Sequence, residues 1–340
     1  MTQIPLYPLR FEPIYQYRLW GGRRLSKLLS VPLPGSGPIG EAWVLSDRAE
    51  HPTRIANGPL RGRTIAQLME ESPEQLLGNL AGRFTRFPLL LKFLDARDTL
   101  SVQVHPSDTQ TQYLPTGETG KTEAWVVLEA GEDSRVYAGL KAATTADTLQ
   151  RAVINGRVED QLASFKPKIG DGIFVEAGTV HSLGDVVVFE VQENSDVTFR
   201  IFDWNHLDKM RQRRPLQIDQ AMACIDFGQG PVRAVKPVVE PSTKSESSGS
   251  PTLRERLFLC DQFGLWRLYS DAPFHTGVAG TPRVLVCIDG AGQLEHEGVN
   301  YSIGRGDVLL MPAVAGECVC RPRHGLTLLE LSLPEGGSLK

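Results

Sequence analysis

Residues 89–108 read LLLKFLDARDTLSVQVHPSD, and after a polar turn region residues 120–125 read GKTEAW. Within SVQVH the residue types alternate. On a β-strand Gln103 and His105 therefore leave one face while Val102 and Val104 leave the other. The strand thus has an apolar side and a polar side, and the polar side carries a Gln-x-His pair. Glu123 follows in GKTEAW, and His181 lies further on in IGDGIFVEAGTVHSLG (residues 169–184). One amide oxygen, two imidazoles and one carboxylate form a mixed nitrogen–oxygen donor set suited to a divalent first-row metal, zinc first.

Outward from this stretch the chain reads as short strands separated by Gly-, Pro- and Asp-rich turns. LLLKFLDA is one strand, followed by a turn at Arg97-Asp98. EAWVVLEA starts another at Glu123 and is expected to end at Gly131. GDGIFVEAG, HSLG and DVVVFEVQENSDVTFRIFDW continue the pattern. Two helical insertions interrupt it, at about 64–86 and 142–160. In the first, Ile65, Leu68 and Met69 share a face, and Ser72-Pro73-Glu74 restarts the helix with Pro at its first position. Gly35-x-Gly37-x-x-Gly40 has the form of a dinucleotide fingerprint. Pro32, Pro34 and Pro38 break its frame, and the following EAWVLSD reads as a strand where the fingerprint needs a helix, so nucleotide binding is rejected.

Residues 235–256, VKPVVEPSTKSESSGSPTLRER, have no hydrophobic period and read as a linker or exposed loop from 236 to 256. Beyond it, 283–313 (RVLVCIDGAGQLEHEGVNYSIGRGDVLLMPA) echoes 123–140 followed by 169–177: aliphatic strand, Gly turn, second strand, then Gly-Asp and another aliphatic strand. Such an echo means two copies of one β-unit. The position held by His181 in the first copy is Glu317 in the second, which also lacks a Gln-x-His pair.

The chain has 340 residues, 41% of them hydrophobic, and a net charge of −4. The absence of a basic excess argues against nucleic acid and anionic membranes as partners. No run approaches the roughly 18 apolar residues of a membrane span. The opening MTQIPLYPLRFEPIY has no apolar signal-peptide core. The five cysteines, Cys224, Cys260, Cys287, Cys318 and Cys320, are sparse and without CxxC spacing. They read as free thiols in a reducing compartment, so a cytoplasmic protein is expected.

The repeat unit resembles the cupin motif. Gly170-Asp171, four residues, then Glu176-Ala177-Gly178-Thr179-Val180-His181 is similar to the second cupin motif, with Glu176 where Pro is usual. KFLDARDTLSVQVHPSD, GKTEAW, GTVHSLG and FEVQENSDVTFRIFDW together resemble a type I phosphomannose isomerase of the short bacterial kind. RLWGGRRL (18–25) and IGEAWVLSD (39–47) add to the match, which runs from about Leu9 to Asp208 and more loosely to the end.

The resemblance implies a mainly β fold: a double cupin of two β-barrel or jelly-roll units with small helical insertions in the N-terminal half. Residues 1–235 would be the metal-binding cupin domain and 257–340 a degenerate cupin-like domain without metal ligands. It implies one Zn²⁺ per chain, held by Gln103, His105, Glu123 and His181. It implies catalytic roles for Arg200, Lys121 and Glu190, and substrate binding by Lys92, Ser101 and Asp196. The implied reaction interconverts mannose 6-phosphate and fructose 6-phosphate through an enediol, with a sugar phosphate as small-molecule partner; the sequence leaves the assembly open between monomer and homodimer.

The chemistry suits the residue types. A carbon acid beside a carbonyl needs a base near the carbon and an electrophile at the oxygens. Neutral Gln and His donors leave a bound cation electrophilic, and an arginine stays protonated beside an oxyanion or phosphate. The base stays open between Glu190, Lys121 and a water. Lys92, Ser101 and Arg200 are the phosphate candidates. His51, His206, His275, His296 and His324 read as structural, and Trp125 and Trp204 as core. Two other functions fit a cupin: a metal-dependent oxidoreductase of dioxygenase type, using two His and one carboxylate, and a non-catalytic sugar-binding protein.

Overall fold

The computed structural model describes residues 6–208, 210–241 and 252–334. The chain opens with β1 (Leu9–Glu12) and β2 (Ile14–Gly22), and β3 (Ile39–Leu45) pairs antiparallel with β2, placing Gln16 opposite Glu41. Glycine makes this crossing possible. A Cβ on Gly40 would lie 2.5 Å from the Arg18 Cβ and 2.6 Å from the Trp20 ring, and one on Gly21 would lie 2.4 Å from the Gly40 nitrogen. RLWGG and IGEAW are thus two halves of one packed unit. The Gly35–Gly40 triplet leads into a strand, as its proline-broken frame predicts.

The first helical insertion is α1 (Ile65–Glu71) followed by α2 (Pro73–Leu77). Thr64 caps α1 reciprocally: its hydroxyl accepts from the Gln67 amide at 3.3 Å, and Gln67 Oε1 accepts from the Thr64 amide at 2.9 Å. Ser72 does precede Pro73, but its side chain makes no cap bond. The insertion ends with a short 3₁₀ turn at Gly78–Leu80, earlier than residue 86.

Next come β4 (Leu89–Ala96), β5 (Val102–Val104) and β6 (Glu123–Leu140). The expected end of β6 at Gly131 is corrected: the strand runs through it, the Gly131 amide donating to Ser134 Oγ at 2.6 Å. The second insertion is α3 (Ala146–Ile154) and a 3₁₀ turn at Val158–Gln161. Then follow β7 (Gly172–Val175), β8 (His181–Glu193) and β9 (Phe199–Phe202). HSLG and DVVVFEVQE form one strand, β8, bent by an irregularity between Gly184 and Val186 where Asp185 takes φ 49°. A short helix, α4 (Ile218–Cys224), was not foreseen.

The linker reading is corrected in part. Residues 236–256 include a strand, β10 (Val238–Glu240), and the start of β11 (Leu253–Leu259), with which it pairs; residues 242–251 of that span lie outside the described residues. The rest of the C-terminal unit is β12 (Gly264–Ser270), β13 (Arg283–His296), β14 (Val308–Met311) and β15 (Cys318–Ser332), with two further strands, Phe274–Thr276 and Val299–Gly304, between them.

Among the described residues the strands form a nine-stranded and a ten-stranded sheet, each curled into a cupin barrel. The echo seen in the sequence is a structural repeat. In β6–β7, Glu123 faces Val175 and Val126 faces Gly172; in β13–β14, Arg283 faces Met311 and Val286 faces Val308. The Gly-Asp turns match as well: Gly170 donates to the Val127 carbonyl and Gly306 to the Cys287 carbonyl, each at 2.8 Å. The division at 235 is less clean than the repeat suggests. β1, from the extreme N-terminal part, pairs with β14 in the C-terminal sheet, Leu9 facing Leu310.

Alternation along the strands sorts the core. Ala124, Val126, Phe189 and Val191 face outward into one apolar layer with Val284, Val286, Leu329 and Leu331 of the other barrel, covered by Ile65, Leu68, Leu76 and Leu77 of the helices. Trp125, Val127, Val186 and Val188 point into the N-terminal barrel, while Leu285, Cys287, Leu326 and Leu328 fill the C-terminal one. Glu123 shares the inward face of Trp125.

Candidate active site

The N-terminal barrel brings His105, Glu123 and His181 together. All three are about 1% exposed, and their ligand atoms lie within 4.8 Å of one another. β5 supplies the frame: Gln103 faces His181 across one edge and Arg200 across the other. Val102 and Val104, on the opposite side, are fully buried, as the alternation in SVQVH requires.

Each imidazole is fixed from behind. His105 Nδ1 donates to the Val197 carbonyl at 2.8 Å and His181 Nδ1 to the Thr179 carbonyl at 2.9 Å. Both Nε2 lone pairs then point inward, each 3.4 Å from a Glu123 oxygen. Burial and the Lys121 charge hold His105 down to about 3, and burial lowers His181. Burial pushes the Glu123 carboxyl up, but Lys121 and the two histidines outweigh it, leaving Glu123 well below the usual carboxylate range. Glu123 Oε1 is buried with no hydrogen-bond partner. Converging lone pairs around an orphaned carboxylate oxygen are costly unless a cation joins them, so this donor set fits a metal ion. The Gln103 Nε2 lies 3.2 Å from His181 Nε2, and a half-turn of the amide puts its oxygen at the same place.

Lys121 stands beside the group, its ammonium 3.1 Å from His105 Nε2 and in contact with Glu123 Oε2. Glu190, in the middle of β8, faces Lys92 on β4 and Trp125 on β6. Its Oε2 accepts from Trp125 Nε1 at 3.0 Å, while Oε1 is 3.6 Å from Lys92 and 4.0 Å from Lys121. Burial, helped by the Glu123 charge, pushes Glu190 up to about 7. Burial disfavours the Lys92 ammonium, but Asp196, Glu41 and Glu190 outweigh it and hold the lysine above its ordinary value.

These residues line one cavity of about 480 Å³, within the range of small-molecule sites. Lys92, Ser101, Gln103, Lys121, His181, Glu190, Asp196 and Arg200 all line it. His105 and Glu123 adjoin it through Lys121. Every residue singled out from the sequence is therefore at or beside this centre. Burial and the charges of Arg214 and Arg18 lower Arg200, whose Nε is buried without a hydrogen-bond partner. Trp125 belongs to the core and to the cavity wall at once, its ring centroid 5.5 Å from that of His181.

Sequence reasoning missed Arg18, Glu41, Thr198 and Arg214, which also line the cavity. Arg18 and Glu41 sit inside RLWGG and IGEAW, so the signal was present and unread. Arg214 is paired with Asp203, its Nε 2.8 Å from Oδ2, across a loop no motif covers.

A double cupin with a buried, metal-competent centre in its first barrel defines the class. Residues 9–138 match the family model for the type I phosphomannose isomerase catalytic domain. The chain is 32% identical to the probable mannose-6-phosphate isomerase GmuF of Bacillus subtilis, over 92% of this chain and 95% of that one. It is also 32% identical to mannose-6-phosphate isomerase ManA of the same organism, over 91% and 94%. The crystal structure of the mannose 6-phosphate isomerase from Bacillus subtilis superposes with a TM-score of 0.86 at 27% identity, covering 96% of this chain and 99% of that one. The chain belongs to the type I mannose-6-phosphate isomerase family, and it is an enzyme of the aldose–ketose isomerase class. Among the described residues no helix is long and apolar enough to cross a membrane.

Proposed function

We propose that this chain interconverts mannose 6-phosphate and fructose 6-phosphate, with one zinc ion held by Gln103, His105, Glu123 and His181. Such an ion, when bound, supplies Lewis-acid polarisation of the sugar oxygens. The residues around it do the rest. A proton leaves C2 of the aldose and returns to C1 of the enediol, while a hydroxyl proton passes between O2 and O1. Glu190 is the proton carrier this reading favours: a carboxyl near 7 accepts and returns a proton at neutral pH. Lys121 and Lys92 flank its free oxygen and stabilise the charge that develops beside it. Ser101 and Asp196 offer hydroxyl contacts, and Arg200, with an unpartnered buried donor, faces the anionic part of the substrate. Free thiols at all five cysteines support a cytoplasmic setting.

The observation that carries the reading is the convergence of the two imidazoles and Glu123 with Glu190, Lys92 and Lys121 around one cavity. A coupled assay converting fructose 6-phosphate to mannose 6-phosphate, with and without chelator and alongside metal analysis, tests it. Chelator-sensitive turnover with about one zinc per chain is expected. Bound iron with an oxygen-dependent activity would replace the reading by an oxidoreductase. Sugar binding without turnover would replace it by a binding module.

A further inference from the structure

The pair formed by RLWGG and IGEAW has no part in the chemistry above, yet it delivers a charged fork into the cavity. Glu41 is 8% exposed, and both of its oxygens are engaged. Oε1 accepts from Arg18 Nε at 2.8 Å; Oε2 accepts from Arg18 Nη2 at 3.1 Å and from Trp43 Nε1 at 2.7 Å. The Arg18 stem is pressed against Gly40, where no side chain fits. The guanidinium is thus held in plane, and its Nη1, turned away from Glu41, has among the described residues only a 3.3 Å contact to the Tyr17 carbonyl. Arg214 is occupied in the same way by Asp203. The cavity wall therefore carries Arg18, Arg200 and Arg214 as neighbouring cations, two of them held by Glu41 and Asp203 with guanidinium nitrogens left over for an anionic ligand.

We propose that Arg18 reads the phosphate monoester of the substrate, and that Glu41 is a positioning residue acting through Arg18. This rests on the sugar-phosphate reading above. A planar fork held on one edge presents its other edge to a phosphate oxygen with little ordering cost.

The test uses the purified, zinc-supplemented enzyme, with mannose 6-phosphate as substrate and inorganic phosphate as competing anion. Arg18→Gln should raise KM by about ten- to a hundredfold, the size of one charge-assisted hydrogen bond. It should weaken inhibition by inorganic phosphate by a similar factor while kcat changes by less than about threefold. Glu41→Gln should reproduce part of both shifts, and Glu41→Asp should recover most of them. Should Arg18→Gln fail to fold, Arg18→Lys keeps the charge, loses the fork, and should still raise both constants. Unchanged KM and phosphate inhibition in a folded Arg18 variant would overturn the inference, as would a Glu41→Gln enzyme that loses thermal stability while both constants stay put. Wild-type enzyme without turnover of mannose 6-phosphate would instead overturn the underlying reading.

Discussion

The two barrels place different residues on the same lattice of strand pairs. In the first, Glu190 faces Lys92, Lys92 faces Trp43, and Glu41 lies two residues before Trp43 on the same strand. In the second, Glu330 faces Trp266, Trp266 faces Arg256, and Arg254 takes the place of Glu41. Arg283 stands where Glu123 stands. Each barrel keeps a cation over a tryptophan at 4.9 Å, Lys92 over Trp43 and Arg254 over Trp266, the cation and the ring having changed strands and the cation coming from the position of Glu41. The matched carboxylates differ in how completely they are satisfied. Glu330 accepts from Arg254 at 3.0 Å, Thr276 Oγ1 at 2.7 Å and the Gly277 amide at 3.1 Å. Among the described residues Glu190 has only Trp125 within hydrogen-bond distance, and its other oxygen faces two lysines across a cavity. A buried acid with both oxygens hydrogen-bonded is masonry, whereas one whose second oxygen faces a cavity without a hydrogen bond is available for chemistry.

That contrast can be broken at several points. The largest effect is expected at the ligands. His181→Ala should lower turnover by about a thousandfold or more, the several kcal/mol a Lewis acid contributes, and bound metal should fall with it. Glu317→Ala, at the matched place in the second copy, should change neither; Glu317 is 59% exposed and lies near His275. Glu190→Gln should cost about 10²- to 10⁴-fold in kcat with the melting temperature kept. Glu330→Gln should do the reverse, lowering stability by about 2–3 kcal/mol through the loss of the Arg254 partner while activity per folded molecule holds. If the two glutamates behave alike, the division of labour is wrong.

Acid sensitivity sharpens the same comparison. Burial opposes ionisation of Glu41, but Lys92 and Arg18 outweigh it and hold the carboxyl down to about 2. A depressed folded value means that the contribution is complete above the ordinary 4.5 and is lost as pH falls toward 2. The size is on the order of 3 kcal/mol at most. Melting temperature followed from pH 6 to pH 3 should drop less steeply in Glu41→Gln than in wild type. The smallest effects belong to the helical insertions. Thr64→Ala and Thr145→Ala each remove a capping box at a cost of about 1 kcal/mol, with kinetics unchanged.

What was legible in the sequence follows from how local each signal is. The candidate donor group could be read because Gln103 and His105 sit in one short alternating stretch, and because Glu123 and His181 each open a strand of their own. The repeat could be read because the Gly-Asp turn and its flanking aliphatic strands recur at one register. Gly131 was taken for a strand end because glycine usually breaks a pattern; here the Ser134 hydroxyl takes up the Gly131 amide and the strand continues. The Val238–Glu240 strand was hidden in a stretch of linker-like composition because its order comes from pairing with residues 254–256, a tertiary effect no local period reports. Arg18 and Glu41 were unreadable as a pair for the same reason: their partnership exists only once β2 and β3 cross.

The seating of Leu9–Glu12 against Val308–Met311 has a consequence for biosynthesis. One edge of β1 pairs locally, Phe11 facing Ile55, but the partner of its other edge lies about 300 residues further along the chain. Until that segment is made, Leu9, 0% exposed in the finished molecule, lacks its partner Leu310. Closure of the second barrel edge therefore follows synthesis of the Val308–Met311 segment. Nascent chains stalled short of residue 308 should offer a chaperone-sized apolar target that full-length product does not.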